Sequence, residues 1–398
     1  EISIVKYRKV VQKGKTIFQL VFDKTPFYPE GGGQVGDSGW IQSGENKTSI
    51  FDTKKENNLI VHFVSELPQT LDAHFNASIN IEKRLNTARN HSATHLLHHA
   101  LRSVLGTHVE QKGSLVNSKQ LRFDFSHFSK VTDEQLIEIE NIVISTIEKN
   151  IGLNEKRSLP IAEAKKMGAM ALFGEKYGET VRVIQFENSV ELCGGIHISS
   201  TADIGLFKIT SESAVAAGIR RIEAISGDSA QHYFRDRTAT LESISSILKK
   251  PKNIEKSITD LIDKNSELSK QIEVLNKEKA ALIKKDLKQK ILEVNGVNFL
   301  GEKVNLNTAS IKDVLFQLKG EQKNFVGILA NAEQNKCGIS VIISENLIEE
   351  KNLNASKIIK EISHHIRGGG GGQAFFATAG GKDQNGIATA IKEVKAML

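Results

Sequence analysis

The chain has 398 residues, 39% hydrophobic and 25% charged, too long for one hydrophobic core and suited to several domains. No stretch approaches the roughly 20 consecutive apolar residues that cross a bilayer, so no membrane-spanning helix and a soluble chain are expected. Its 2 cysteines exclude a disulfide framework and suit a reducing compartment, and 53 Lys+Arg against 47 Asp+Glu give a net charge of +6 that mildly favours a polyanionic partner.

The sequence opens Glu1-Ile2-Ser3-Ile4, with no Met and no charged-then-apolar leader, so no secretion signal is read and a segment of a longer protein is expected. Over residues 1–82, short runs alternate with period two: Ile17 to Phe22, Ser49 to Phe51, Leu59 to Val64 and Phe75 to Ile81. That alternation predicts a small β-barrel, interrupted at Gly31-Gly32-Gly33, Gly36 and Gly39, where tight turns or a close backbone approach need glycine.

Over residues 83–228 the pattern becomes helix, strand and helix. His91 to Leu105 reads as a helix closed by Gly106. Thr132 with Gln135 forms a capping box ahead of a helix to Glu148, whose apolar stripe is Leu136, Ile139, Val143 and Ile147. Strands are expected at Thr180 to Phe186, Gly205 to Thr210 and Arg220 to Ile225.

Residues 229–292 are almost unbroken helix former, interrupted at Pro251. Ile254, Leu261, Leu268, Leu275 and Leu282 recur every seven residues, with Ile258, Asn265, Ile272 and Lys279 at the alternate seam positions, a coiled-coil pattern. Its partner is either the preceding helix folded back at Pro251 or a second copy of the chain. Residues 293–398 return to mixed α/β, with buried strands at Phe325 to Ala330 and Gly338 to Ile343 and the cysteine Cys337 read as core. There Arg367 precedes Gly368 to Gly372, a run that is either a flexible linker or an ordered backbone surface for a ligand; the following Ala374 to Ala377 and Gly380-Gly381 favour order.

The chemistry concentrates in two places. At about 100° per residue, His91, His95, His98 and Arg102 share one narrow sector of their helix, opposite Ala93, Leu96, Leu97, Ala100 and Val104. The imidazoles therefore line a cavity or solvent, and an i, i+4 pair brings two nitrogens within reach of one metal ion. A histidine-rich polar face is the plainer alternative, and without an intervening glutamate the zinc-protease helix motif does not apply. Cys193-Gly194-Gly195-Ile196-His197 changes the balance, because the glycines let sulfur and nitrogen turn inward together. One thiolate and three imidazoles make a zinc set by ligand type. The fold class expected is α+β multidomain: an N-terminal β-barrel, a zinc-containing α+β core, a helical coiled-coil connector and a C-terminal α/β domain with a glycine-rich loop.

These motifs, His91-Ser92-Ala93-Thr94-His95 and Cys193-Gly194-Gly195-Ile196-His197, stand with Phe27-Tyr28-Pro29-Glu30-Gly31-Gly32-Gly33-Gln34 and Gln111-Lys112-Gly113-Ser114 in an order that resembles the editing region of alanyl-tRNA synthetase. The resemblance covers the whole chain and implies the C-terminal portion of that enzyme: barrel, editing core, helical connector and glycine-rich tRNA-binding domain. It implies hydrolysis of mischarged seryl- and glycyl-tRNA(Ala), since a pocket made for alanine excludes glycine and serine only modestly and a second site must correct the error. Gln111 stands where the family places a polar group for the serine hydroxyl. Zn2+ would be held by His91, His95, Cys193 and His197. Four protein ligands fill a tetrahedral site, so one ligand is labile, the coordination expands, or the metal chiefly organises substrate. Glu191 and His98 are candidates for the unidentified general base, and Arg220 and Arg221 for phosphate contacts.

For the C-terminal domain the resemblance implies tRNA contact through Arg367, Gly368, Gly369, Gly370, Gly371, Gly372 and Lys382. ATP and Mg2+ belong to the aminoacylation domain, which this sequence lacks, so no charging of tRNA is expected from it. The partners expected are tRNA(Ala) and a homodimer through the coiled coil or C-terminal domain, in the cytoplasm and without a membrane. The competing readings are a free-standing editing hydrolase and a non-catalytic tRNA-binding module with structural zinc.

Overall fold

The computed structural model describes residues 1–12, 14–170, 178–333 and 336–398, and the chain forms two compact units, Glu1–Ile244 and Ser245–Leu398. The first unit begins with strands β1 (Ile2–Gln12), β2 (Lys15–Phe22), β3 (Gly39–Ser43), β4 (Asn46–Glu56), β5 (Leu59–Val64) and β6 (His74–Ile79). They close into a barrel in the order β1-β2-β5-β4-β3-β6, filled by Leu20, Ile41, Ile50, Val64 and Phe75. The expected runs Ile17 to Phe22 and Leu59 to Val64 fall on β2 and β5, although burial does not alternate along them and Val61 to Val64 are all buried. No expected run marks β1, whose Val5, Tyr7 and Val11 face outward, or β3, which is built around Gly39 and Trp40. Closure of the barrel supplies the pairing that these two strands' own sequences leave unmarked.

One buried polar group gives the barrel a pH dependence. His62 is wholly buried; its Nδ1 lies 3.2 Å from the Leu20 carbonyl oxygen and its Nε2 2.8 Å from Thr25 Oγ1. The neutral ring satisfies both, donating to the carbonyl and accepting from the hydroxyl. Burial pushes its pKa down to about 4. Because the unfolded chain binds the proton more readily, this contribution is complete above about pH 6.5 and is lost as pH falls toward 4, by about 3 kcal/mol. Denaturant titrations at pH 7 and pH 4 should therefore show a smaller acid-side loss in His62→Gln than in wild type, by about that amount. Equal losses would show that His62 does not titrate in this way.

Helix α1 (Ile81–Leu105) follows the barrel directly. It starts ten residues before the predicted His91 because Asn80 caps it, accepting from the Lys83 backbone N–H, and because Arg84 is ion-paired with Asp37 of the barrel segment. The polar stretch Glu82-Lys83-Arg84 hides that start. Then come β7 (Gln111–Val116), β8 (Leu121–Ser126), α2 (Asp133–Glu148), β9 (Asn154–Pro160), α3 (Ile161–Lys166), β10 (Thr180–Phe186), β11 (Ser189–Leu192), β12 (Phe207–Ala216) and β13 (Ile219–Ser226). Two sheets result, β12-β13-β8-β7 and β11-β10-β9. Helix α1 packs against β8, β13, β11 and α2, so it is buried on its polar as well as its apolar side, and the histidine face lines the interior rather than solvent. The Thr132–Gln135 capping box forms, and Ile139, Val143 and Ile147 are the buried stripe of α2.

Helix α4 (Gly227–Ile247) leads away from β13, and α5 (Ile254–Gln289) belongs to the second unit. The end of α5 packs through Ala280, Ile283 and Leu287 against α6 (Thr308–Glu321). Its seam residues Leu261, Leu268, Ile272, Leu275 and Leu282 are exposed. The remaining elements are β14 (Leu292–Val294), β15 (Val297–Lys303), β16 (Phe325–Glu333), β17 (Lys336–Ile343), α7 (Glu345–Glu350), α8 (Ala355–Ile362), β18 (Gly369–Gly372), β19 (Phe376–Gly381) and α9 (Ile387–Ala396). The six strands form one sheet in the order β14-β15-β16-β17-β19-β18.

The glycine run departs from the expected loop. Gly369 to Gly372 form an edge strand antiparallel to β19. A Cβ on Gly368, Gly370 or Gly372 would overlap the backbone of β19, whereas Gly369 and Gly371 have nothing near that position. Glycine is needed at alternate residues because two backbones lie in contact, not because the segment must flex. Cys337 is buried, as read.

Candidate metal centre

The site is assembled from two segments. Helix α1 contributes His91 and His95, one turn apart and both buried at 4% and 3% exposure. The turn after β11 contributes Cys193 and His197. One ligand atom from each of these four residues lies within 4.8 Å of all the others. Cys193 Sγ is 3.3 Å from both His91 Nε2 and His197 Nε2, and the His197 ring is 4.4 Å from that of His91 and 4.6 Å from that of His95. The thiolate and the three imidazoles singled out in the sequence therefore come together.

Gly195 makes the approach feasible: a Cβ there would overlap His91 Cε1 and Nδ1. Gly194 has no neighbour near its Cβ position, so only one of the two glycines is demanded by space. Arg182 on β10 holds the turn from behind, its guanidinium donating to the carbonyl oxygens of Cys193 at 3.2 Å and Gly195 at 2.5 Å and to Glu155 at 2.6 Å.

Each imidazole has an outer partner. Gln34 Oε1 lies 2.8 Å from His91 Nδ1, and Ser92 Oγ lies 3.0 Å from His197 Nδ1. Glu191 Oε2 is 3.5 Å from His95 Nε2 and Oε1 is 2.9 Å from His98 Nδ1. His95 Nδ1 is buried without a protein partner among the described residues. A buried group of one sulfur and three imidazoles, with one imidazole nitrogen left unpartnered, fits a borderline-soft cation.

Electrostatics favours ligation over protonation. Burial first, then the neighbouring His95 and the Arg182 guanidinium, bring the His91 pKa down to about 3. Burial likewise lowers His95 and carries His197 well below the usual imidazole range. All three rings keep lone pairs available at neutral pH, as metal ligation requires. Burial, the largest influence on Glu191, pushes its pKa up, but the imidazoles of His95 and His98 together outweigh it and the carboxylate is held below its ordinary value.

The other predicted residues lie elsewhere or in other roles. Gln111 opens β7, half-buried and opposite Phe125; no hydrogen bond among the described residues joins it to the four ligands. Arg220 is ion-paired with Glu212 at 2.5 Å, and Arg221 makes two bonds to Asp124 at 2.6 and 2.8 Å. Both guanidinium groups thus face carboxylates of their own sheet. In the second unit Arg367 is strongly exposed, its Nε 3.5 Å from Asp383, and Lys382 is exposed beside the glycine strand. Glu191 and His98 are interior groups bonded to each other, tied to the ligand set through His95.

Gln34, Ser92 and Arg182 were not singled out as site residues by sequence reasoning. Gln34 closes the glycine-rich motif and Ser92 sits beside the first ligand, so position within a motif was a signal for both. Nothing in the local sequence marks Arg182.

Residues 3–85 match the family model described as tRNA synthetases class II (A), and residues 181–223 match the Threonyl and Alanyl tRNA synthetase second additional domain. Residues 296–398 match the DHHA1 domain. The second match contains Cys193 and His197, so the turn that completes the cage lies in a tRNA-synthetase additional domain. Relatives extend over the whole chain. An alanine–tRNA ligase of Christiangramia forsetii is 53% identical over 100% of this chain and 46% of the relative. Those of Flavobacterium psychrophilum and Cytophaga hutchinsonii are 51% and 50% identical, each over 99% of this chain and 45% of the relative. The chain belongs to the alanine–tRNA ligase family, to the part that carries the additional and DHHA1 domains. It spans about half the length of the curated relatives it matches. Among the described residues no helix is long and apolar enough to cross a membrane.

Proposed function

We propose that this chain is the editing and tRNA-binding part of an alanine–tRNA ligase and hydrolyses the ester of seryl- and glycyl-tRNA(Ala) in the cytoplasm. The observation that carries the reading is the convergence of His91, His95, Cys193 and His197, in a chain similar over its full length to alanine–tRNA ligases. The ion we assign is Zn2+, by the mixed nitrogen and sulfur donor set. When bound, it supplies a Lewis acid for the ester carbonyl or a fixed point for the terminal adenosine.

The protein's own contribution is a pre-shaped cage. Glu191 orients His95 and His98, Ser92 orients His197, and Arg182 fixes the carbonyls of the turn, so the ligand directions are set before substrate arrives. Gln111 is assigned to the serine hydroxyl, and discrimination against alanine follows from the unsatisfied amide that a methyl would leave. Residues 1–82, 83–228, 229–292 and 293–398 are assigned in turn to barrel, editing core, connector and tRNA-binding domain. The exposed Arg367 and Lys382, with Gly368 and the edge strand Gly369–Gly372, offer backbone amides and positive charge to RNA phosphates. Arg220 and Arg221 contribute there only if RNA displaces their carboxylate partners.

The test is deacylation of seryl-tRNA(Ala) by the purified chain, with and without a chelator. Hydrolysis that chelation abolishes and zinc restores is expected. A chain that binds tRNA but never cleaves the ester would instead be a tRNA-binding module with structural metal.

A further inference from the structure

We propose that Gln34 is the positioning residue that makes His91 a metal ligand, so that the metal centre is built partly by the barrel segment. The assignment rests on the metal reading of the site. Gln34 lies in the connection between β2 and β3 and is buried at 1% exposure. Its backbone is anchored, its N–H donating to the Gly31 carbonyl at 3.0 Å while the next residue, Val35, donates to the Val116 carbonyl on β7 at 3.0 Å. The side chain is therefore delivered to a fixed place beside α1.

There Oε1 lies 2.8 Å from His91 Nδ1 and 2.9 Å from the backbone nitrogen of Ile196. A backbone N–H only donates, so the amide atom facing Ile196 is the oxygen, and the orientation of the amide is decided. The same oxygen then accepts from His91, whose Nδ1 carries the ring proton. That leaves Nε2 with its lone pair free, and Nε2 is the atom 3.3 Å from Cys193 Sγ. One oxygen thus selects the ligating tautomer of His91 and pins Ile196, the residue between Gly195 and His197. The amide nitrogen adds nothing to this: Gln34 Nε2 is buried without a partner among the described residues. Packing alone would favour an apolar side chain here, so the feature that the amide brings is its oxygen.

Two substitutions separate the oxygen from the rest of the side chain. Gln34→Met keeps length and removes the acceptor, whereas Gln34→Glu keeps the acceptor and removes the unpartnered donor. In competition titrations of the whole chain with zinc and a chromophoric chelator, Gln34→Met should bind zinc about 10–100-fold more weakly, and Gln34→Glu within about threefold of wild type or more tightly. Wild-type affinity in Gln34→Met, or an equal loss in both variants, overturns the assignment. Long-range 1H–15N spectra of the zinc-loaded wild-type chain supply a check that needs no variant: the His91 proton should sit on Nδ1, and a proton on Nε2 overturns the assignment. A wild-type chain with no affinity for zinc would sink the metal reading itself, a result distinct from either variant outcome.

Discussion

His95→Ala should leave the purified chain without stoichiometric metal and without seryl-tRNA(Ala) deacylation, while the barrel remains folded. Removing an outer partner of a metal ligand commonly lowers affinity about 10–100-fold, and removal of a ligand should exceed that. His95 is also the point at which the ligand set meets Glu191. Without the ring, Glu191 keeps His98 as its partner at 2.9 Å, so the buried carboxylate is not stranded and the fold should survive. The measurement is metal content by atomic emission together with deacylation rate, with far-ultraviolet circular dichroism to establish folding. A His95→Ala chain that keeps one metal and full activity would contradict the account.

Gly195→Ala should be nearly as damaging, although it removes no donor atom. The added methyl would occupy the space of His91 Cε1 and Nδ1 and press on Gln34 Oε1. Helix α1 is buried on nearly every side, so His91 has little room to retreat and the turn must move instead, taking Cys193 and His197 with it. Overpacking of this kind commonly costs about 1–3 kcal/mol, and here the strain falls on ligand geometry, so metal affinity should drop by about 10–100-fold or more. Gly194→Ala is the control, because no atom lies near its Cβ position. Equal zinc affinity in the two variants would show that the close approach at Gly195 does not matter.

The four residues of the candidate metal centre could be picked out from the sequence because each pair carries its geometry in a short offset: two histidines on one helical face, and a cysteine and histidine separated by glycine. What joins the two pairs is tertiary, and the outer partners show the limit more clearly. Gln34 meets His91, and Ser92 meets His197, across long separations that no local pattern encodes. Arg220 and Arg221 read as available to RNA because their carboxylates, Glu212 and Asp124, become neighbours only through strand pairing. The glycine run is a similar case. Glycine weakens a strand in isolation, and only contact with β19 makes Gly369 to Gly372 an ordered edge. The barrel was readable where apolar runs mark β2 and β5 and unreadable in β1 and β3, where ring closure supplies the pairing.

The most direct test of the central claim is X-ray absorption at the zinc edge on the purified wild-type chain. The proposed zinc assignment predicts one zinc per chain with three nitrogen ligands at about 2.0 Å and one sulfur at about 2.3 Å. A chain that carries no zinc, or whose zinc has no sulfur neighbour, would contradict it.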